Sequence, residues 1–252
     1  MVIPENRAFH QIFLSLDVRE ELPIALHRVS TEARDLFGDY QYCLWRGDAI
    51  HQFLADHYGQ DVLQAYDLLK PLAFKADLAR YCILHRYGGW YADLSLKILE
   101  FVPLDQSIEM VYFHDFGLGP PAPSSFLAAC QNGFFFAKAG HPVLEQCIKA
   151  VLENCRQRFY GLNSTCPTGP MVFGKAILAH TPSPNLMPGY FMPLTPMHSQ
   201  RNLAYVMPHG NIVAFHKTTW HPLSPRGGNF SAFGLQGTNN YNRMWERREV
   251  YG

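Results

Sequence analysis

The stretch "HRYGGWYADLSLKILE", His85 to Glu100, decides how the chain is read. Two glycines close a helical pattern, a short aromatic strand follows, and Asp93 arrives at the strand tip. Two residues on, where a second acid would complete a pair, stands Ser95. Upstream, "KADLARYCILHRYGG" places Asp77 and Arg80 three apart, on one face of the helix that feeds this strand. By themselves these residues are explained better by a surface ion pair, a turn and a surface aspartate. Position favours a site: in open α/β sheets, ligands bind beyond the carboxyl ends of strands, and Asp93 is at such an end.

Working outward, strand-like and helical patterns alternate. "AFHQIFLSL" (Ala8 to Leu16) and "YQYCLW" (Tyr40 to Trp45) read as buried strands. Between them Leu22, Leu26, Val29, Ala33 and Leu36 recur at helical spacing, up to Gly38. Helices are expected around Ile50 to Tyr58, Val62 to Leu69, Val143 to Phe159 and Met171 to Ala179. Further strands are expected at "MVYF" (Met110 to Phe113), "GFFFA" (Gly133 to Ala137), "LAYVM" (Leu203 to Met207) and "NIVAFH" (Asn211 to His216). The alternation predicts an α/β sandwich on a mixed, mostly parallel sheet flanked by helices. The proline-rich segments Pro120 to Ser125 and Pro182 to Pro196 read as ordered loops. The Gly-, Asn- and Arg-rich stretch from His221 reads as a tail or lid.

Composition sets the bounds. The 252 residues suit one large α/β domain, spanning 1–252. Apolar residues make up 48%, enough for a sizeable core. Lys+Arg and Asp+Glu are both 21, so bulk electrostatic capture of nucleic acid is not expected. Six cysteines without a CxxC pair read as buried free thiols in a reducing compartment. With no amino-terminal apolar segment of membrane-spanning length, a cytoplasmic protein is expected, at most touching the inner membrane face.

The order of motifs resembles the DXD-containing sugar-binding glycosyltransferases of glycosyltransferase family 32. "IPENRAFHQIF", "YQYCLWRGDAIHQFL" and "KADLARYCILHRYGGWYADLS" are similar to its successive signatures. "QNGFFFAKAGHPVL", "TGPMVFGKAIL" and "HKTTW" resemble its later ones, so the likeness runs to about Trp220. It implies a GT-A nucleotide-diphospho-sugar transferase fold, with a donor-binding part (1–115), an acceptor and donor-closing part (116–220) and the tail or lid (221–252). It also implies a retaining transfer of a hexose from a UDP- or GDP-sugar to a glycan or glycolipid hydroxyl, in polysaccharide or lipopolysaccharide synthesis.

Roles follow residue by residue from that resemblance. Asp77, Arg80, Asp93 and Asn132 are implied to be catalytic. Tyr91, Ser95, Gly169, Lys217 and Trp220 are implied to contact the donor, with Asp77, Arg80 and Asp93. Thr168 and Pro170 flank Gly169 beside the reacting carbon, and Thr219 replaces a family serine. Asp93, Ser95 and His216 are the implied holders of Mn²⁺ or Mg²⁺, bound weakly and completed by the donor. Hard carboxylate oxygens suit such ions, but a serine supplies neither the charge nor the reach of the family's second aspartate. Lys97, Lys217 or Arg226 standing in for the ion is the other outcome left open, together with loss of catalysis. A silent sugar-nucleotide-binding subunit and a metal-dependent nucleotide hydrolase are the competing functions.

Other residues read as structural. His114-Asp115 could face an acceptor sugar but is taken as a loop cap, Lys138 and His141 as a strand-to-helix turn, and Lys75 as a solvated helix lysine. Trp45, Trp90 and Phe134 to Phe136 are assigned to the core.

Overall fold

Hydrophobic spacing is followed closely through the first half of the chain. The computed structural model describes residues 3–17, 19–116, 129–195 and 201–252. In chain order the first elements are β1 (Ala8–Phe13), α1 (Ile24–Leu36), β2 (Gln41–Arg46), α2 (Gly47–His57), α3 (Gln60–Leu68) and α4 (Leu72–Tyr87). Then come β3 (Gly89–Ala92), β4 (Lys97–Ile98), β5 (Met110–Asp115), β6 (Cys130–Ala137), α5 (Pro142–Arg156) and α6 (Pro170–Leu178). The last are β7 (Leu186–Pro193), β8 (Leu203–Val206), β9 (Ile212–Phe215), α7 (Lys217–Trp220) and α8 (Tyr241–Glu246). The expected loop at 120–125 lies outside the described residues.

Nine strands form one sheet in the order β2-β1-β3-β6-β5-β7-β8-β9-β4. Here the structure corrects the sequence reading. The pairs β1–β2, β1–β3 and β5–β7 are parallel, whereas β3–β6, β5–β6, β7–β8, β8–β9 and β4–β9 are antiparallel. The sheet is mixed, but not mostly parallel. Parallel neighbours need a crossover, usually helical. α1 joins β1 to β2 and α2 to α4 lead into β3, but β7, β8 and β9 follow one another with no helix among the described residues between them.

Strand β7 was hidden by its composition. "LMPGYFMP" reads as a loop, yet it lies between β5 and β8. Its β8 ladder covers only Tyr190 to Pro193, so Pro188 faces a single neighbour and Pro193 ends the strand. Proline is tolerated at such edge-like positions because no second ladder asks for its missing N–H.

The two sheet faces carry separate cores. One packs α2 to α6 around Leu78, Ile83, Leu84, Phe135 and Phe173. The other gathers Phe9, Phe37, Trp90, Phe113, Phe134 and Tyr205, with Ala33 of α1. Trp45, Trp90 and Phe134 to Phe136 are core residues, as expected. The stretch 221–252 is packed against the domain: Leu235, Val250 and Tyr251 are buried, and Tyr251 bridges Leu69. Asn239 Oδ1 accepts from Leu72 N at 3.0 Å, satisfying a backbone donor at the start of α4.

Candidate active site

The double glycine fixes the site's geometry. Helix α4 ends at Gly88 (φ 64°), whose N–H donates to Leu84 O, and β3 starts at Gly89 (φ 102°). A Cβ at Gly88 would strike Asn6 Oδ1, and one at Gly89 would strike Ala8 O. Only glycine supplies both the positive φ and the clearance. The strand then runs back along the helix that preceded it, so residues of both meet.

Alternation along β3 sends Trp90 to one face and Tyr91, with Asp93 beyond the strand end, to the other, where α4 lies. The Asp93 N–H donates to Gly133 O at 2.8 Å, extending the β3–β6 ladder and holding the tip still. Tyr91 OH donates to Asp93 Oδ1 at 2.8 Å. The Arg80 guanidinium sits 4.6 Å over the Tyr91 ring and reaches Asp93 Oδ1 at 3.3 Å through Nη1.

Asp77 and Arg80 are no surface pair: they are 7% and 5% exposed and 3.3 Å apart. Asp77 also accepts from Asn132 Nδ2 (2.8 Å) and Thr168 Oγ1 (2.7 Å). Arg80 donates to Asn132 O (2.7 Å) and Ala76 O (3.2 Å), so most of its donors are used inside the protein. Asn132 gives its second amide hydrogen to Tyr81 OH at 2.8 Å, leaving the amide oxygen for a ligand. Burial alone would push the guanidinium down, but Asp93, Tyr91 and Asp77 together raise it and keep it charged. Burial raises the Asp77 carboxyl, opposed by Arg80, Thr168 and Asn132.

This network forms one wall of a cavity of about 590 Å³. Asp77, Arg80, Tyr91, Asp93, Ser95, Asn132, Gly169, His216 and Lys217 all line it, so the structure brings these sequence-derived candidates together. Trp220 is held just behind, its Nε1 donating to Ser95 O at 2.9 Å. The opposite wall comes from the C-terminal stretch, through Arg226 to Phe230 and Thr238, Asn239, Tyr241 and Asn242. Lys217 is 6% exposed and donates to Gly227 O at 3.1 Å. Burial pushes its ammonium down to about 8, against the pull of Asp93.

Asp115, preferred from the sequence as a loop cap over a residue facing an acceptor sugar, is placed differently by the structure. It is not a loop cap: its side chain is 5% exposed and lines the cavity. Its Oδ1 lies 3.3 Å from Arg226 Nη2, and its Oδ2 accepts from Gln131 at 2.6 Å. The rule that singled out Asp93, an acid at the carboxyl end of a strand, applies equally to Asp115 at the end of β5. Tyr81, which bonds Asn132 and the Thr168 carbonyl, was missed. Lys75 is half-buried, donating to Tyr66 O over the Tyr66 ring. His141 does cap α5, accepting from Val143 N at 3.3 Å.

The side chains expected to hold an ion do not by themselves make a divalent-ion site. Asp93 is shared with Tyr91 and Arg80, and Ser95 is neutral. His216 spends Nδ1 on Thr218, accepting from its backbone N–H at 3.3 Å, and burial pushes its pKa down to about 3. Among the described residues, no three His, Cys, Asp or Glu side chains are grouped to hold a metal.

A mixed sheet flanked by helices, with a ligand wall at the end of β3, is the architecture of GT-A glycosyltransferases. Residues 26–108 match the family described as "Glycosyltransferase sugar-binding region containing DXD motif", in line with the resemblance read from the sequence. It is 32% identical over 115 residues to Inositol phosphoceramide mannosyltransferase 3 of Schizosaccharomyces pombe, covering 46% of this chain and 29% of that protein. It is 24% identical over 218 residues to an uncharacterized glycosyltransferase of Acanthamoeba polyphaga mimivirus, covering 84% and 82%. Among solved structures, PaToxG Glycosyltransferase superposes with a TM-score of 0.56 at 15% identity, covering 71% of each chain, which speaks to the fold alone.

Proposed function

We propose that the protein transfers a hexose from a UDP- or GDP-sugar to a hydroxyl of a glycan or glycolipid, with retention of the anomeric configuration. The observation that carries this reading is the buried Asp77–Arg80–Asp93–Asn132 network on the cavity wall. Asp93, half-buried at a strand tip with its backbone fixed, faces the cavity as the acid that takes a donor hydroxyl. Asn132 turns its amide oxygen to a sugar hydroxyl, and Thr168 with Gly169 shapes the space beside Asp77. Arg80 is then a positioning residue, holding both acids in place. Asp77 is fully engaged and is no free nucleophile, which favours front-face displacement, with attacking and leaving groups on one side.

The mannosyltransferase relatives make a mannosyl donor the first to try and a lipid-linked acceptor a natural class. Free thiols at Cys43, Cys82, Cys130, Cys147, Cys155 and Cys166 support a reducing, cytoplasmic setting. No helix among the described residues is long and apolar enough to cross a membrane.

A panel of UDP- and GDP-hexoses tests the reading. One donor should raise the melting temperature, because a ligand that binds only the folded state stabilises it. The same donor should release nucleoside diphosphate in the presence of acceptor. Ser95 favours one competing reading, a binder without turnover; stabilisation with no diphosphate release, with or without added Mn²⁺, would establish that one instead.

A further inference from the structure

We propose that Lys217, supported by Arg226, supplies at the donor diphosphate the positive charge that a second acid and a divalent ion would otherwise supply together. The inference rests on the transferase reading above. Formal charge carries the first step. Two carboxylates and a dication sum to zero, and so do Asp93 and one ammonium. Replacing the second acid by Ser95 and placing Lys217 in the same cavity therefore leaves the local balance unchanged.

Placement carries the second step. Lys217 lies on α7, and Trp220 of that helix is bonded to the carbonyl of Ser95 itself. The helix bearing the ammonium is thus pinned to the turn that lacks the acid. The Lys217 ammonium is spent on a backbone carbonyl, Gly227 O, which is a weak partner for a buried cation and one that a phosphate oxygen would replace favourably. Arg226 lines the same wall, 5.6 Å over the Phe191 ring and salt-bridged to Asp115. Asp93 on the other wall is already shared with Arg80.

The chemistry then balances without an ion. The bond from the sugar's anomeric carbon to the phosphate oxygen breaks, and its electron pair stays on the departing diphosphate. The acceptor oxygen bonds to the same carbon and passes its proton to that phosphate. The two cations stabilise charge that grows as the bond breaks, where fixed groups act most strongly.

Calorimetric titration with UDP and GDP, in excess chelator and in Mn²⁺, tests this on the full chain. Wild-type should bind one diphosphate in chelator, with Mn²⁺ changing the affinity by no more than about twofold. Lys217→Met should weaken binding in chelator by roughly 10- to 100-fold, as expected for a lost charge-assisted contact. Lys217→Arg should keep most of the affinity, separating charge from packing. The double variant Ser95→Asp with Lys217→Met should recover affinity only when Mn²⁺ is added. Wild-type binding that requires Mn²⁺, or wild-type affinity in folded Lys217→Met, overturns the inference and leaves the transferase reading standing. Binding of neither diphosphate in either condition overturns both.

Discussion

The two walls of the cavity are built in opposite ways. The acid wall comes from residues close in sequence: Asp77 and Arg80 on α4, then Tyr91 and Asp93 after the double glycine. Arg80 bridges its two carboxylates and offsets one of them, leaving the wall net negative, and the wall is buried against the core that packs α2 to α6. The cation wall comes from Lys217 and Arg226, more than a hundred residues further along, Lys217 held by Gly227 O and the Phe230 ring and Arg226 by Asp115 and the Phe191 ring. The first wall is a rigid, self-satisfied network; the second holds its charges on partners that a ligand can displace. On the proposed reading, donor recognition and charge stabilisation fall on structures with different tolerance to mutation.

That contrast is broken most sharply at Arg80. Arg80→Ala leaves Asp77 buried without its counter-ion, a loss of about 3–5 kcal/mol in folding stability. We expect a lowered melting temperature along with lost activity. Arg80→Lys should recover part of the stability but not the activity, because an ammonium cannot span both acids. A stable, active Arg80→Ala would mean that the network is ornamental. Asp93→Asn should behave differently, since its side chain is 37% exposed and its backbone is held by Gly133. Melting should stay near wild-type while turnover falls by about 10²–10³-fold, the usual cost of one lost polar group at a reacting centre.

A pH titration of stability probes the support behind the acid wall. His10 in β1 pairs with Tyr91 and is fully buried. Trp45 Nε1 donates to its Nδ1, and its Nε2 bonds Gly88 O, so the neutral ring is the form that fits. Burial holds its pKa down at about 4, against the 6.5 of a free histidine. The unfolded chain therefore takes up a proton first. The contribution of His10 to stability is complete above pH 6.5 and is lost as pH falls from there towards 4, by at most about 3 kcal/mol. His10→Gln should flatten that part of the profile; an unchanged profile would assign the acid sensitivity elsewhere.

How much of this was legible follows from the same contrast. Local signals gave the helix, the Gly88 turn, the β3 strand and the acids on it, because spacing and positive-φ glycine report on neighbours in sequence. The position of β7 was not legible, since Pro188 and Pro193 read as breakers and only the ladder with β5 makes them a strand. Nor was the pairing of Asp115 with Arg226, which joins residues 111 apart. Burial of Asp77 was hidden too: nothing in "KADLAR" announces that Thr168 and Asn132 will close over it. The predicted mostly parallel sheet failed for a related reason, as strand direction after β6 is set by long-range pairing and not by composition.

Asp115 offers a milder test of the cation wall. Asp115→Asn keeps the shape and an acceptor oxygen for Arg226 but removes the opposing charge. Diphosphate affinity should change by roughly tenfold or less, since one charge pair is altered and Arg226, its side chain 18% exposed, keeps access to solvent. A loss as deep as that of Asp93→Asn would move Asp115 from support into the chemistry.

The smallest effect is expected where the two walls are set apart by one missing atom. A Cβ at Gly133 would lie 2.7 Å from Asp93 Oδ2 and 3.3 Å from the Tyr205 hydroxyl. Both neighbours are held, Asp93 by Tyr91 and Arg80 and Tyr205 by full burial, so something must shift. The freest of them is the outer carboxylate oxygen, which can rotate by a few tenths of an ångström. Displacements of about 1 Å at a reacting site cost about a hundredfold, so Gly133→Ala should lower turnover several-fold. The backbone is not at positive φ here, and the melting temperature should hold. Gly189→Ala is the matched control, because the nearest atoms its Cβ would meet are the buried Phe113 ring at 2.5 Å and Val206 O, not a carboxylate. That variant should lose stability and keep its turnover per folded molecule. If instead Gly133→Ala melts early and turns over normally, the clearance serves packing and Asp93 tolerates displacement.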